Sequence, residues 1–412
     1  MNPIPSYNIL KRSHPNEGVD PWKWISCAVM LAISFVVFYT LALRGGSDIS
    51  IHATWAAEGD FLQPRTFFRH GAHPLWHVLT AAMMLTGMPV KMAGAAVTAL
   101  LKAVELLFIH KIISLYTVNH VGKKNIALAA FCAALVTALW VPQLNETIYL
   151  GVGSPNTWHN PTQMISMVTM LVCVPYTAYC LVEFEKKRPL QGKRTILPWK
   201  TVLTLGFLLL LSLTAKPTFM QAFLPAAGLL FLAKWLRYKE NSRFFGQVLL
   251  AVLPSMLLMV AQYLFYFSDV IVPMQGGVSL QISWEKVTQV LVGSLLMRAF
   301  PLYVLVAFKS KDMRRDPLLT LTLLLDLVGI SEYLLLGETG RRMQDGNFGW
   351  AMMGGALMLW VLMLSYFMRN HALCRTKRPA WIFAGGFALL LWHVGSGIYY
   401  LIYLIKETGV VL

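Results

Sequence analysis

Apolar runs long enough to cross a bilayer as helix, about 20 residues each, recur along the whole of this 412-residue chain. Backbone groups in lipid must be satisfied within the spanning segment, which leaves helices as the only reasonable element here. Hydrophobic residues make up 57% of the sequence and charged residues 13%, where a soluble domain carries about a quarter charged. The expected fold is therefore an all-α integral membrane protein, a polytopic bundle of about eleven transmembrane helices. The spans read as 24–43, 91–115, 125–141, 163–183, 199–214, 218–236, 246–267, 286–308, 318–336, 350–368 and 380–404. They form a single membrane-embedded domain over 1–412, without an internal repeat. The first run lacks a small-residue cleavage site and is expected to stay as the first span.

A net charge of +16 invites a nucleic-acid partner, but its distribution excludes that reading. Lys and Arg sit in short clusters between the apolar runs. The head and the loops near 111–124, 185–200, 234–243, 309–315 and 369–378 hold 24 of them. The alternating loops 44–91, 142–162, 215–217, 268–286 and 337–349, with the tail, hold nine. The positive-inside rule makes the first set cytoplasmic, with the N-terminus, and the second set external, with the C-terminus. Counting Leu75–Gly87 as a span would spoil this alternation, and the run is short for a crossing. It reads instead as a juxtamembrane helix within a large first external loop, 44–90. The five cysteines (Cys27, Cys132, Cys173, Cys180, Cys374) show no metal-ligand spacing and lie mostly within apolar runs.

The external set collects the unusual polar residues. Asp48 follows the first span after a Gly-Gly break, where a carboxylate at the membrane surface can act as a general base or simply be solvated. His52 lies one helical turn on, followed by Glu58, Asp60, His70, His73 and His77. These acids and histidines can contact an acceptor or hold a divalent metal; their spacing matches no fixed ligand set, so the cofactor stays open. In 142–162, Trp158, His159 and Asn160 set an aromatic plate beside hydrogen-bonding groups, a combination suited to sugars, although an interfacial Trp is ordinary. Lys216 stands between two spans on the outer side, against the charge bias. Phosphate is its natural partner, and a snorkelling amine is the plainer alternative. In 326–350, Asp326 and Glu332 sit in or beside an apolar run, where acids are costly. Glu338, Arg341, Arg342, Asp345 and Asn347 follow; two adjacent arginines can grip phosphate, or the loop is self-compensating.

An uncleaved span, an external loop with an early Asp, a His-Pro-led juxtamembrane helix and then a long span resemble the membrane-embedded GT-C glycosyltransferases. The likeness is narrower to the protein mannosyltransferase and aminoarabinose-transferase branch. It is carried by SDISIHATWAAEGD around Asp48 and by HPLWHVLTAAMMLTGMP at 73–89. Where that branch has His-Pro-Pro, this chain has Leu75 after Pro74, and Ile49 stands where a second acid is usual. The resemblance implies a transferase of a bacterial cytoplasmic membrane, working on the outer face with a polyprenyl-phosphate or -diphosphate sugar donor and a glycan, lipid or protein acceptor. Asp48 would deprotonate the acceptor. Sugar contacts fall to His52, Glu58, His73, Trp158, His159, Asn160 and Asn347. The resemblance does not place Lys216, Arg341 or Glu338; on their position in the external loops, Lys216, Arg341 and Arg342 would hold the donor phosphate, with Glu332 and Glu338 as supporting acids. Two rivals remain: a glycan polymerase or ligase of another membrane family, and a transporter or lipid flippase, for which the few charges within spans (Lys102, Glu105, Arg298, Asp326, Glu332) would have to line a path.

Overall fold

Asp-Pro at 20–21 starts the first long helix. The Asp20 carboxylate accepts from the Lys23 amide at 3.3 Å, and Pro21 takes the first helical position, where no backbone donor is needed. The computed structural model of the protein describes residues 20–59, 73–117, 120–144, 153–191, 195–266, 277–340, 346–374 and 378–406. The helices are α1 (Pro21–Leu43), α2 (Asp48–Glu58), α3 (Leu75–Met84), α4 (Val90–Thr117), α5 (Lys123–Ala133), α6 (Pro161–Gln191), α7 (Trp199–Ala215), α8 (Pro217–Arg237), α9 (Ser242–Tyr266), α10 (Trp284–Ala307), α11 (Lys311–Arg314), α12 (Pro317–Leu335), α13 (Gly349–Cys374) and α14 (Ala380–Lys406). Two short strands, β1 (Val278–Leu280) and β2 (Leu336–Glu338), pair antiparallel.

Among the described residues, nine helices are long and apolar enough to cross a membrane, each at the place of an expected span. α7, with 17 residues, rises about 26 Å and stops a few Å short of a full hydrocarbon core. α3 has ten residues, about 15 Å of rise, and cannot cross alone, as expected for part of the first loop.

The expected span 125–141 is a correction. Only its first half is helical, as α5, and the backbone from Ala134 to Val141 is irregular. Neither Gly nor Pro interrupts the sequence before Pro142. The stop comes from tertiary hydrogen bonds. Asn156 Nδ2 donates to the carbonyls of Ala133 at 2.9 Å and Val136 at 2.8 Å. His393 Nδ1 donates to the Thr137 carbonyl at 2.6 Å. The Leu139 amide donates to Leu296 O at 3.0 Å and the Trp140 amide to the Ser396 hydroxyl at 3.0 Å. Gly397 lets α14 come this close, because any side chain there would collide with the Leu135 carbonyl. Irregular backbone at membrane depth is tolerated only where protein satisfies it, and α10, α14 and Asn156 do so here.

α13 is the central span: every residue from Gly349 to Phe367 is buried, as an all-round apolar helix should be. α12 packs on it closely enough that a Cβ on Gly355 would lie 2.8 Å from Asp326 Cα, and one on Gly329 2.8 Å from the Met352 amide. Small residues permit this approach between spans. Arg298 on α10 grips both carboxylate oxygens of Asp326 on α12 (2.7 and 2.5 Å) and donates to Met352 O on α13 at 3.1 Å.

The loops meet in the two alternating sets that the basic residues mark. At one end His110 contacts Asp20, Lys234 pairs with Glu185, Arg369 with Asp312, and Tyr116 and Tyr366 both donate to Asp316. At the other end Arg44 reaches the carbonyls of Leu404 and Ile405, Asn160 bonds Asp48, and β1 pairs with β2. Asn156 also accepts from Lys102, which is bound to Glu105, so one amide secures both the irregular backbone and a buried ammonium. Asn156→Ala is expected to cost roughly 2–4 kcal/mol by leaving two carbonyls and part of a charge unsatisfied, read as a lowered thermal midpoint in detergent relative to Ser331→Ala on the exposed face of α12.

Candidate active site

Two helix starts build the site. After α1, Gly46 turns the chain with φ +87°, a conformation that suits glycine. Ser47 then caps α2, its hydroxyl accepting from the Ser50 amide at 3.2 Å. Asp48 is thereby fixed in the first turn of α2, where the helix dipole favours a carboxylate. Asn-Pro-Thr-Gln at 160–163 starts α6 in the same way: Asn160 Oδ1 accepts from the Gln163 amide at 2.8 Å and from the Thr162 hydroxyl at 2.8 Å, with Pro161 at the first helical position.

The two starts are joined. Asn160 Nδ2 donates to Asp48 Oδ2 at 2.8 Å. From the other side the Lys216 ammonium reaches Asn160 Oδ1 and Thr162 Oγ1, each at 3.4 Å, and sits 4.0 Å from the centre of the Trp350 ring. Lys216 is the residue between α7 and α8 and is only 4% exposed. Burial pulls its pKa down to about 7, against the nearby Asp48 carboxylate, which pulls it up.

Lys216 lines a cavity of about 400 Å³ whose wall also includes His73, Thr218, Gln221, Tyr263, Glu338 and Asn347. The Asn347 amide donates to both Glu338 oxygens at 2.9 Å, which presents that buried carboxylate to the cavity in a fixed orientation. His52 and His77 are bonded ring to ring at 2.9 Å, with His73 5.8 Å from His52 between centroids. Burial, then the charges of His77 and Lys216, hold His52 well below the usual histidine range. His159 bonds Tyr400 at 2.9 Å, and burial pushes it down to about 4. Both imidazoles are neutral hydrogen-bonding groups at neutral pH.

The structure thus gathers Asp48, Asn160 and Lys216 in one chain of contacts, and His73, Glu338 and Asn347 around the adjoining cavity. His52 and His159 lie beside them. Trp158 is a correction: its indole is fully buried, stacked on Phe38 at 5.6 Å with the Lys102 ammonium 4.7 Å from the ring centre, so it offers no plate to a sugar. Glu58 is exposed at the far end of α2 and is not on the cavity wall. Glu332 is half-buried on α12, outside that wall, with no hydrogen-bond partner for Oε2 among the described residues. Arg341, Arg342, Asp60 and His70 lie outside the described residues. No three His, Cys, Asp or Glu side chains among the described residues are placed to hold a metal. Trp350, Tyr400, Thr162, Thr218, Gln221 and Tyr263 were not marked by the sequence. Thr162 alone carried a signal, as part of the helix start at Asn-Pro.

No family model matches the chain, and no curated protein matches it in sequence. In structure it is similar to ArnT from Cupriavidus metallidurans bound to undecaprenyl phosphate, at 12% identity and a TM-score of 0.48, over 94% of this chain and 76% of that one.

Between its folded pKa of about 7 and its ordinary 10.5, Lys216 holds fewer protons folded than unfolded, so stability rises with pH across that window. Lys216→Met removes this dependence. The variant is expected to unfold at a higher temperature than the native protein near about pH 6 and to converge with it near about pH 10, as measured by thermal melts in detergent.

Proposed function

We propose that this protein is a membrane glycosyltransferase of GT-C type, which transfers a sugar from a polyprenyl-phosphate or -diphosphate donor to an envelope glycan, lipid or protein. The observation that carries this reading is the single amide of Asn160, held between the Asp48 carboxylate and the buried ammonium of Lys216, which lines a cavity. A base and an anion-binding cation at fixed separation are what glycosyl transfer from a lipid phosphate requires.

Asn160 occupies Oδ2 of Asp48, and Oδ1 takes the proton of the acceptor hydroxyl. The acceptor oxygen forms its bond to the anomeric carbon as the bond from that carbon to the donor phosphate oxygen breaks. The electron pair leaves with the polyprenyl phosphate, and the ammonium of Lys216 stabilises the developing charge in a site of low dielectric. An amine with a pKa near 7 gains protonation when phosphate arrives, because an adjacent anion favours the charged form. Glu338, Asn347 and His73 serve as sugar contacts on the cavity wall. Arg341 and Arg342 are proposed as further phosphate contacts on their sequence position alone.

The orientation follows from the same charge rule as before: N-terminus and basic loops in the cytoplasm, site and C-terminus outside, in a bacterial cytoplasmic membrane. The charges within the spans favour an enzyme over a transporter. Lys102 is closed on Glu105 and Asn156, and Arg298 on Asp326, so these groups do not line a path.

Asp48→Asn is expected to lower the rate of sugar transfer about 10²–10⁴-fold, the usual worth of a general base, with donor binding retained. Lys216→Met is expected to weaken binding of the polyprenyl-phosphate donor. Purified protein in nanodiscs, assayed by donor binding and by transfer of labelled sugar, separates the two effects. Full transfer activity in Asp48→Asn overturns the assignment of the base and, with it, this reading.

A further inference from the structure

The segment leading into α10 alternates without exception: Val278, Leu280, Ile282 and Trp284 are apolar, while Ser279, Gln281 and Ser283 are polar. That is the period of an extended strand with two unlike faces. β1 pairs with β2 in the register Val278↔Glu338, Ser279↔Gly337, Leu280↔Leu336. Directly opposite residues share a face, so Val278, Leu280, Leu336 and Glu338 lie on one side. The polar side is closed on itself. Gln281 lies across Gly337, where a side chain would collide with it, and donates to the Glu338 carbonyl at 2.7 Å and the Ser279 hydroxyl at 3.3 Å.

The apolar side is open: Leu280 is 74% exposed, Ile282 63% and Trp284 86%. Trp284 is also the first residue of α10. At 3.6 residues per turn it falls within about 40° of Leu291, Leu295, Leu302 and Val306 around that helix, and these four are the exposed apolar residues of the span. The open face of the ribbon therefore continues into the lipid-facing stripe of α10. At its other end Val278 and Glu338 line the cavity that holds Lys216. A ribbon of three residue pairs is marginal in water by itself, and an apolar surface of this kind marks a contact.

We propose that Leu280, Ile282 and Trp284 insert into the outer interface of the bilayer, with membrane lipid as their occupant. The ribbon is then a membrane-seated strap that holds Glu338 over the cavity and sets the cavity mouth at lipid level. A Trp at the start of a span suits that depth. This inference does not rest on the reaction assigned above.

The test places single cysteines by Ser279→Cys, Leu280→Cys and Ile282→Cys in a form of the full chain whose five native cysteines are replaced. Each is labelled with a fluorophore and reconstituted in vesicles of phosphatidylethanolamine with a minor share of phosphatidylglycerol. Lipid carrying a nitroxide high on its acyl chain is expected to quench the labels at 280 and 282 severalfold more than the label at 279. Aqueous iodide is expected to show the reverse order. Iodide that reaches all three alike would mean that the ribbon stands in water and would overturn the proposal. Labels at 280 and 282 shielded from both quenchers would mean that protein covers the face, a second copy or another chain, which overturns it equally. Two positions on the apolar face keep one perturbing label from deciding the outcome. The readout needs no transferase activity, so its failure is separate from failure of the assignment of Asp48 and Lys216.

Discussion

The Asn160 side chain meets three stretches of chain that are far apart in sequence, and each of its two ends has only one workable use. Its oxygen takes the Gln163 amide, the Thr162 hydroxyl and the Lys216 ammonium, all donors; its nitrogen gives to the Asp48 carboxylate, an acceptor. Turned about, the amide would set N–H against N–H and oxygen against carboxylate, so the network admits one orientation. Because Asn160 also caps a 31-residue helix, the start of α6 fixes its position. Asp48 and Lys216 are thereby placed by a span rather than by a loop. In a buried site this matters twice, since low dielectric strengthens each contact and raises the cost of losing one.

The same demand for satisfied polar groups governs the interior. Breaking a buried ion pair by removing one partner costs about 3–5 kcal/mol, and each of the pairs inside this bundle spans or braces several elements. Arg298 ties α10 to α12 and α13. Lys102 ties α4, through Asn156, to the irregular stretch after α5. That stretch gives up its helix because better partners surround it: His393 has Nδ1 donating to the Thr137 carbonyl and Nε2 accepting from the Phe300 amide at 3.4 Å, which fixes a single neutral tautomer.

The spans were legible because lipid imposes one rule on length and one on composition. The alternation of basic loops was legible too, and it foretold which loops meet. The end of α5 was not, because nothing local to 125–141 opposes helix. The partners that stop it lie far from the carbonyls they bind, Asn156 by 20 and 23 residues and His393 by 256. Asp48, Asn160 and Lys216 stood out as polar residues beside apolar runs, but their contact could not be read, since it depends on how α2, α6 and α8 are packed. Trp158 misled for the converse reason. Aromatic residues in outer loops look alike in sequence, whether they face a ligand or, as here, fill the space between Phe38 and Lys102.

Five polar residues of the site share one structural position: they stand at or beside the ends of secondary elements. Asp48 opens α2, Asn160 caps α6, Lys216 separates α7 from α8, Glu338 closes β2, and Asn347 bonds the Trp350 indole at 3.1 Å in the first turn of α13. A membrane protein has little choice in this. Mid-span, each such group would need a partner within lipid, whereas helix ends already carry unsatisfied backbone groups that call for polar company. Lys216 stands where two such ends meet, those of α7 and α8, and is buried there against Asn160, Thr162 and the Trp350 ring. Burial favours the neutral amine and the nearby Asp48 carboxylate the charged one. An amine whose charge depends on what lies beside it is thus a consequence of how three helix ends pack together.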